Sequence, residues 1–451
     1  MDIEKTFRSF CNKIHLDSIS EFEQSLNAIT KKLNRKYYDI ENETIEHRLI
    51  VGSIGRLTAI KNVSDVDFIF ELPADVFRRF DAYESNGQSA LLQEIRNELL
   101  SRYPNTEIHG DGQVVSIEFS SYTIELVPGF RQNDNSFKYP DANDGGSWKI
   151  TNPLPEQREC KKKAKETQNN YIHMCNILRI WKNNIGFQFK GLLIDTLVFD
   201  YLTEHPGFSS ASYSEYIDFL TDVLSFLSGE DPEQKYWYAL GSNQKIYNSD
   251  KGLFIRKASS SHAKLTAADT EKKKTEALKE ILGREFSSSI VPKEDKTAKS
   301  AFSSNNMGME ADVAPHEMFI EDMFPVDIKW NLRIDCKVTQ KGFRPFWLSS
   351  LNNRFSRWLS KDKTLNFQIE STDTPVPFDI YWKIRNCGPE AIRRSEERGE
   401  IVKGTRSKRE HTKFSGDHYA ECYLVKNGIC VARAKVLVPI NTDFIDTEHM
   451  E

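Results

Sequence analysis

Apolar positions along the chain change their spacing from region to region, and each spacing predicts an element. After Asp17, apolar residues recur at Ile19, Phe22, Leu26, Ile29 and Leu33. That is helical spacing, and Ser18 with Glu21 has the form of a capping box at its start. Residues 66–72 (VDFIFEL) and 114–127 (VVSIEFSSYTIELV) are β-branched and aromatic with partial alternation, which predicts strands. Ser89–Leu100 between them reads as a helix. Residues 131–158 are rich in Asn, Asp, Gly and Pro and read as a long loop. Helical patterning returns over about Glu159–Asn183, 190–203 and 213–228.

From about Ser259 to Pro315 the pattern weakens. Runs such as SSSHAK, EKKKTEALKEI and KTAKSAFSSNN read as a polar linker, partly disordered, that holds one short helix. Beyond Phe324 the chain becomes strand-like up to Ile440, and Lys426-Asn427-Gly428 between two alternating runs is a hairpin signal. The expected organisation is a first domain over 1–257, a linker over 258–322 and a C-terminal β-sandwich-like domain over 323–445, an α+β chain.

Composition changes this picture little. At 451 residues the chain can bury two or three cores, and its net charge of -5 means that any basic surface is local. Seven scattered cysteines fit reduced thiols better than a disulfide framework. His418, Cys422 and Cys430 lie close together without the spacing of a zinc site. The apolar run Gly191–Leu202 is short and broken by Asp195 and Asp200, so no membrane span is expected. The opening MDIEKTFRSF has no apolar signal core, and a cytoplasmic location is expected.

Chemistry concentrates in HRLIVGSIGRLTAIKNVSDVDFIFELP, residues 47–73. Side chains alternate along a strand, so Asp65 and Asp67 share a face while Val66 and Phe68 point into a core. Two adjacent carboxylates repel, and a divalent cation resolves the repulsion. Mg²⁺ suits carboxylate plus phosphate oxygens. Upstream, Gly52 permits close approach of the backbone to a phosphate, Ser53 adds a hydroxyl, and Arg56 can pair with phosphate. Glu125 in YTIELVPGF supplies a third carboxylate, which on an antiparallel partner strand would lie beside Asp67.

Together, Gly52-Ser53, Thr58-Ala59-Ile60, Ser64-Asp65-x-Asp67 and Glu125-Leu-Val-Pro128 resemble the polymerase-β-like nucleotidyltransferases. More narrowly, they resemble the cGAS/DncV-like branch, the bacterial synthases of cyclic oligonucleotide second messengers. The resemblance covers about residues 15–257. It implies a nucleotidyltransferase core plus a helical half, with nucleoside triphosphates, ATP among them, as substrates. It puts Ser53 on the triphosphate and Asp65 and Asp67 on Mg²⁺, with Mn²⁺ as the alternative. Glu125 becomes the third metal ligand and the activator of the attacking ribose hydroxyl. MCNILRIWKNN resembles the family helix whose lysine, here Lys182, reaches the triphosphate. WYALGSNQKIY resembles a loop near the nucleotide, where Ser242, Asn243 and Gln244 could touch a base or phosphate. Two departures stand out: Glu125 occupies a place where Asp is common, and Lys190-Gly191 replaces a phosphate-binding Ser, so that contact is either lost or supplied by Lys190.

Residues 325–440 resemble the AGS-C sensor domain found fused to such synthases. Between Tyr381 and Lys413 ten Lys/Arg face five Asp/Glu, with Trp382, Phe414, His418 and Tyr423 nearby. Basic groups with aromatics suit a nucleotide or nucleic-acid ligand. The implied role is cyclic oligonucleotide synthesis in bacterial anti-phage (CBASS) signalling, with a downstream cyclic-oligonucleotide effector as partner. Two other readings stay open: a nucleotidyltransferase that modifies a small molecule, protein or tRNA, and a non-catalytic nucleotide or RNA sensor. The tail TDFIDTEHME lacks a small terminal residue, which disfavours regulation by C-terminal conjugation.

Overall fold

The structure, a computed structural model, describes residues 1–61, 63–292, 317–340, 342, 344–351, 359 and 362–440. It divides into one unit within Met1–Lys293 and another within Glu294–Glu451, with Ile185–Gln188 grouping with the second.

The first unit begins with α1 (Ile3–Ile14) and α2 (Ser20–Tyr38). Then come β1 (Arg48–Ile50), the helical turn α3 (Gly52–Gly55), β2 (Asp65–Glu71), α4 (Ala74–Asp81) and α5 (Gly87–Leu100). Five further strands follow: β3 (Glu107–Asp111), β4 (Val114–Glu118), β5 (Thr123–Arg131), β6 (Phe137–Asp141) and β7 (Ser147–Thr151). The sheet runs β1-β2-β5-β4-β3, with β6 pairing β5 and β7. Alternation along β2 buries Val66, Phe68 and Phe70 against Leu126 of β5 and Phe22, Leu26 and Ile29 of α2. The same alternation leaves Asp65 and Asp67 on the opposite, half-buried side.

The rest of this unit is helical. It holds α6 (Pro153–Glu166), α7 (Asn170–Ile185), α8 (Gly191–Glu204), α9 (Tyr216–Ser228), the hairpin β8 (Tyr236–Tyr238) and β9 (Lys245–Tyr247), then α10 (Leu253–Thr266) and α11 (Glu271–Ser287). The first and last helices meet: Phe286 packs on Phe7 and Phe10 at centroid distances of 5.4 and 5.3 Å, and Lys13 pairs with Glu285 at 2.8 Å.

The second unit holds α12 (Ile320–Met323), β10 (Leu332–Thr339), β11 (Phe346–Trp347), β12 (Thr364–Thr372), β13 (Asp379–Arg385), α13 (Pro389–Arg394), β14 (Arg398–Gly404), β15 (Ser407–His411), β16 (Gly416–Lys426) and β17 (Ile429–Ile440). Its strands form two four-stranded sheets, β11-β10-β12-β15 and β14-β13-β16-β17. Cys336 and Phe367 from one and Trp382, Cys422 and Leu424 from the other share one core. At the β16–β17 turn Asn427 and Gly428 take φ of 53° and 72°, as a tight hairpin turn requires. The α+β class with a C-terminal β-sandwich-like part is thus the observed one.

Four local expectations differ. Residues 131–158 are not a loop: β6 and β7 pair as a hairpin, its Asn/Asp/Gly-rich stretches are turns, and Pro153 starts α6. The helix expected over Glu159–Asn183 is two helices, broken where Gln168 and Asn169 adopt φ of 50° and 71°. The capping box at Ser18 and Glu21 does not form, because α2 starts at Ser20 and Ser18 instead accepts from the Ser20 amide at 3.1 Å. The expected linker carries α10 and α11, whose narrow apolar stripes (Ala258 and Leu265, then Leu278, Ile281, Leu282 and Phe286) are buried. Its remaining part, 293–316, lies outside the described residues, as does the tail from Asn441. No helix among the described residues is long and apolar enough to cross a membrane, and all seven cysteines are free thiols.

His173 on α7 bonds the Tyr216 hydroxyl at 2.8 Å, and burial, with His15 nearby, pushes its imidazole down to about 4. An unfolded histidine binds its proton near pH 6.5, so between about pH 6.5 and 4 the unfolded chain holds the extra proton. Stability of the first unit should therefore fall as pH drops through that window. Urea unfolding across it should show the slope, and His173→Gln should flatten it; an unchanged slope in the variant would refute the assignment.

Candidate active site

The site is built around α3. Val51 donates its amide to the Asp67 carbonyl at 2.9 Å, which docks the entry to the turn on β2. Gly52 then adopts φ +64°, and a Cβ placed there would lie 1.9 Å from Asp67 Oδ2. The Asp67 carboxylate therefore rests against the turn in the space that a side chain would fill, and glycine is required on both counts. Ser53 follows, half-buried, at the first turn of α3.

Asp65 and Asp67 come off β2 on one side, and Ser64 donates its hydroxyl to Asp65 Oδ2 at 3.3 Å. Glu125 lies directly opposite Asp67 in the sheet. The neighbour is reached through a parallel pairing of β2 and β5, not the antiparallel one expected, because α4, α5, β3 and β4 intervene and bring the chain back in the same direction. Ser116 on the antiparallel β4 flanks Glu125 on its other side. Asp65, Asp67 and Glu125 are each half-buried. Three carboxylates on adjacent strands beside a glycine turn are a donor set that fits hard divalent cations.

Arg56 is a correction. It is 8% exposed, and its guanidinium Nε donates to Asp195 Oδ2 at 2.8 Å, with Glu156 at 3.8 Å from Nη1. A guanidinium so enclosed holds the helices, not a phosphate. The Asp195 carboxylate, 0% exposed, also accepts from Thr58 Oγ1 at 2.9 Å and from Arg179 Nη2 at 3.0 Å. Its Oδ1 lies 2.8 Å from Arg179 Nη1 without hydrogen-bond alignment. Burial alone would raise the Asp195 carboxyl, but the Arg179 and Arg56 guanidinia outweigh it and hold it below the usual range. Thr58 in turn donates its amide to the Ser53 carbonyl at 2.9 Å, and Asn176 of α7 donates to the Thr58 and Ala59 carbonyls at 2.9 and 3.1 Å. Helices α7 and α8 thus grip the segment that carries Ser53.

Ser242 is also committed: its hydroxyl donates to Glu156 Oε1 at 2.8 Å. Burial pushes the Glu156 carboxyl up, and Asp195 acts in the same direction against Arg56 and Ser242. Gln244 is pinned to Asn152 and Ile150 at 3.0 and 2.9 Å, whereas Asn243, with φ 53°, is exposed at the turn. Lys182 is 8% exposed near the end of α7, three residues past Arg179. Lys190 precedes α8 and donates to the Tyr247 carbonyl at 2.6 Å. The structure therefore brings Gly52, Ser53, Asp65, Asp67 and Glu125 together, and assigns Arg56 and Ser242 to a buried network. Sequence reasoning missed Asp195, Arg179 and Glu156. Asp195 did leave a signal, as one of two charges that break an apolar run.

Residues 1–164 match the family model of the Second Messenger Oligonucleotide or Dinucleotide Synthetase domain, and residues 314–441 match the Adenylyl/Guanylyl and SMODS C-terminal sensor domain. Among solved structures, the chain is similar to CdnC of Escherichia coli MS115-1 in a complex with HORMA-deltaN, at 16% identity over 63% of this chain and 98% of that one, with a TM-score of 0.49. It is also similar to the CD-NTase CdnG of Bradyrhizobium diazoefficiens in complex with GTP, at 10% identity over 64% and 97% of the two chains, TM-score 0.46. A third is E. coli DncV in a form bound to 3'-deoxy GTP, at 11% identity over 63% and 87%, TM-score 0.40. No curated protein sequence matches the chain.

If Asp195 is the anchor of the network, Asp195→Ala strands two buried guanidinia and should destabilise the first unit by about 3–5 kcal/mol. Urea unfolding with an unchanged m-value measures this; a loss within experimental error of zero would show that the network is dispensable.

Proposed function

Because the chain belongs to the cGAS/DncV-like nucleotidyltransferases and carries a C-terminal AGS-C sensor domain, we propose that it joins nucleoside triphosphates into a cyclic oligonucleotide, with release of pyrophosphate, in bacterial anti-phage (CBASS) signalling. The observation that carries this reading is the Gly52–Asp67 contact beside Glu125, a glycine turn set against three carboxylates.

The turn at Gly52-Ser53 binds the triphosphate of one nucleotide through backbone amides and the Ser53 hydroxyl. Asp65, Asp67 and Glu125 would hold Mg²⁺ or Mn²⁺, which supplies positive charge for the developing pyrophosphate and lowers the proton affinity of the attacking hydroxyl. Glu125 accepts that proton. A ribose hydroxyl of the second nucleotide forms a new bond to the α-phosphorus while the bond from that phosphorus to the β-phosphate oxygen breaks. Repetition within the product closes the ring. Arg56, Asp195 and Arg179 act earlier, by fixing the turn before substrate arrives, so its ordering cost is met on folding. The C-terminal domain takes a nucleotide or nucleic-acid ligand and reports it to the synthase, and the product acts on a downstream effector.

Purified chain incubated with the four labelled nucleoside triphosphates and Mg²⁺ or Mn²⁺ should form a phosphatase-resistant product whose mass identifies ring size and bases. Product that appears only with an added small molecule, protein or tRNA acceptor would favour the acceptor-modifying reading instead. Asp67→Asn should lower turnover by at least ~100-fold with the melting temperature retained. Gly52→Ala should lower turnover at least as much but also lower the melting temperature, since the new methyl displaces Asp67 and strains a left-handed backbone; full turnover in either variant would remove the catalytic assignment.

A further inference from the structure

The second unit holds a cavity of about 150 Å³ between its two sheets. Strands β14 and β15 are edge strands of different sheets, joined through Thr405–Arg406. Arg398 on β14 and Glu410 on β15, both in the cavity lining, link the two edges as a two-pronged pair at 2.8 and 3.1 Å. Lys413 and Glu396 form a second pair at the mouth, at 3.5 Å. Behind them the cavity is floored by Leu365 and Phe367 of β12, Ile384 of β13 and Val438 of β17. Phe414 and His418 close one wall, with rings edge to face at 5.1 Å. His418 is held there by the Cys387 amide on Nδ1 and the Phe414 carbonyl on Nε2, each at 3.1 Å.

A sandwich core is normally close-packed, with few voids larger than a water. A cavity of about 150 Å³ with an apolar floor is the size that admits one aromatic ring, and Asn386 and His411 add polar groups to its wall. Its mouth carries cations of the geometry that binds phosphate: the Arg398 fork suits a phosphate bidentately, and Lys413 adds a mobile charge. Both now hold carboxylates, but Arg398 is 39% and Lys413 65% exposed, so those pairs contribute little and exchange readily for a better anion.

The surrounding charge also selects against a polymer. Of the ten cations between Tyr381 and Lys413, Lys383 and Arg385 pair with Glu317, Arg393 and Arg394 with Glu390, Lys403 with Asp379, and Lys408 with Glu410, in addition to the two at the mouth. Eight of the ten are thus engaged, although they share five carboxylates (Glu317, Glu390, Asp379, Glu410 and Glu396), so positive charge remains but most of it is already held in pairs. An extended polyanion would have to displace several of these pairs, whereas one small anion needs only to displace one.

We propose that this cavity binds a nucleoside monophosphate, with the base between the sheets and the phosphate on Arg398 and Lys413. The assignment rests on the sensing role given to this domain above and narrows its ligand from nucleotide or nucleic acid to a single nucleotide. The base-binding floor and the phosphate-binding mouth act together, so neither half of the ligand suffices.

The test is titration calorimetry on the full chain carrying Asp65→Ala and Asp67→Ala, without divalent cation, so that the carboxylate site does not contribute. AMP, GMP, CMP and UMP are titrated in turn, beside adenosine, ribose 5-phosphate and a single-stranded oligonucleotide. At least one monophosphate should bind one per chain. Adenosine and ribose 5-phosphate should each bind roughly tenfold or more weakly than it. Arg398→Gln, which alters only the rim, should weaken the monophosphate by a similar factor, and Ile384→Phe, which fills the void, should abolish binding; melting curves establish that both variants fold. Absence of binding by all four monophosphates overturns the proposal, as does binding that survives both variants. So does an oligonucleotide that binds more tightly than any monophosphate and is indifferent to Ile384→Phe. Product formation by the unmodified chain is scored separately: binding here without product there refutes the synthase reading alone, and product without binding refutes this inference alone.

Discussion

One buried carboxylate holds the first unit's chemistry in place. Asp195 lies on the buried face of a mostly apolar helix and gathers Arg56 from the turn after Gly52, Thr58 from the segment beyond it, and Arg179 from the neighbouring helix. A charge so enclosed is tolerable only when it is paired and hydrogen-bonded, and here two guanidinia and a hydroxyl meet that need. The consequence is positional. The backbone from Ser53 to Ala59 is tied to helices α7 and α8, while its leading edge, Val51 and Gly52, is tied to β2. The Gly52 turn is therefore fixed from both sides relative to Asp67.

That fixation explains why the carboxylates can stand together. Asp65, Asp67 and Glu125 are delivered by two strands whose inner faces are packed solid: Val66, Phe68, Ile124 and Leu126 are all fully buried. Strand alternation converts that rigid packing into a rigid outer face. Repulsion among the acids cannot then be relieved by drift of the strands, which favours capture of a cation. The glycine turn sets the other boundary, because the Asp67 carboxylate occupies the volume that any Cβ at position 52 would need.

Much of this was legible in the sequence because it rests on local patterns. The two-residue period of VDFIFEL fixes the shared face of the two aspartates, and a Gly-Ser pair ahead of it marks the turn. What was not legible depends on long-range partners. Arg56 looked like a phosphate ligand because an arginine beside a phosphate turn usually has no other anion within reach; its true partner lies 139 residues away. Glu125 was correctly placed beside Asp67 for the wrong strand direction, since register can be read from alternation but polarity depends on how many elements intervene. The segment of α11 was read only as one short helix in a linker because its apolar stripe is narrow on a lysine-rich background, and its anchor, Phe286 against Phe7 and Phe10, joins the two ends of the unit.

The same distinction applies to the second unit. A count of cations along the chain suggested a surface for a polyanion, yet most of them are already matched by carboxylates brought close through strand pairing and turns. Local charge is therefore a poor guide to the ligand there, and packing is the better one. Two sheets that share a core around Trp382 and Cys422 leave a cavity beside the edge strands β14 and β15, and those edges are linked there by a partly exposed ion pair. A fold selected only for stability would close that gap with aliphatic residues, because exposed ion pairs add little and an unfilled void costs packing energy. A gap kept open behind exchangeable charges is what a domain needs if its stability is to depend on what fills it, since a ligand that binds only the folded state stabilises that state by mass action.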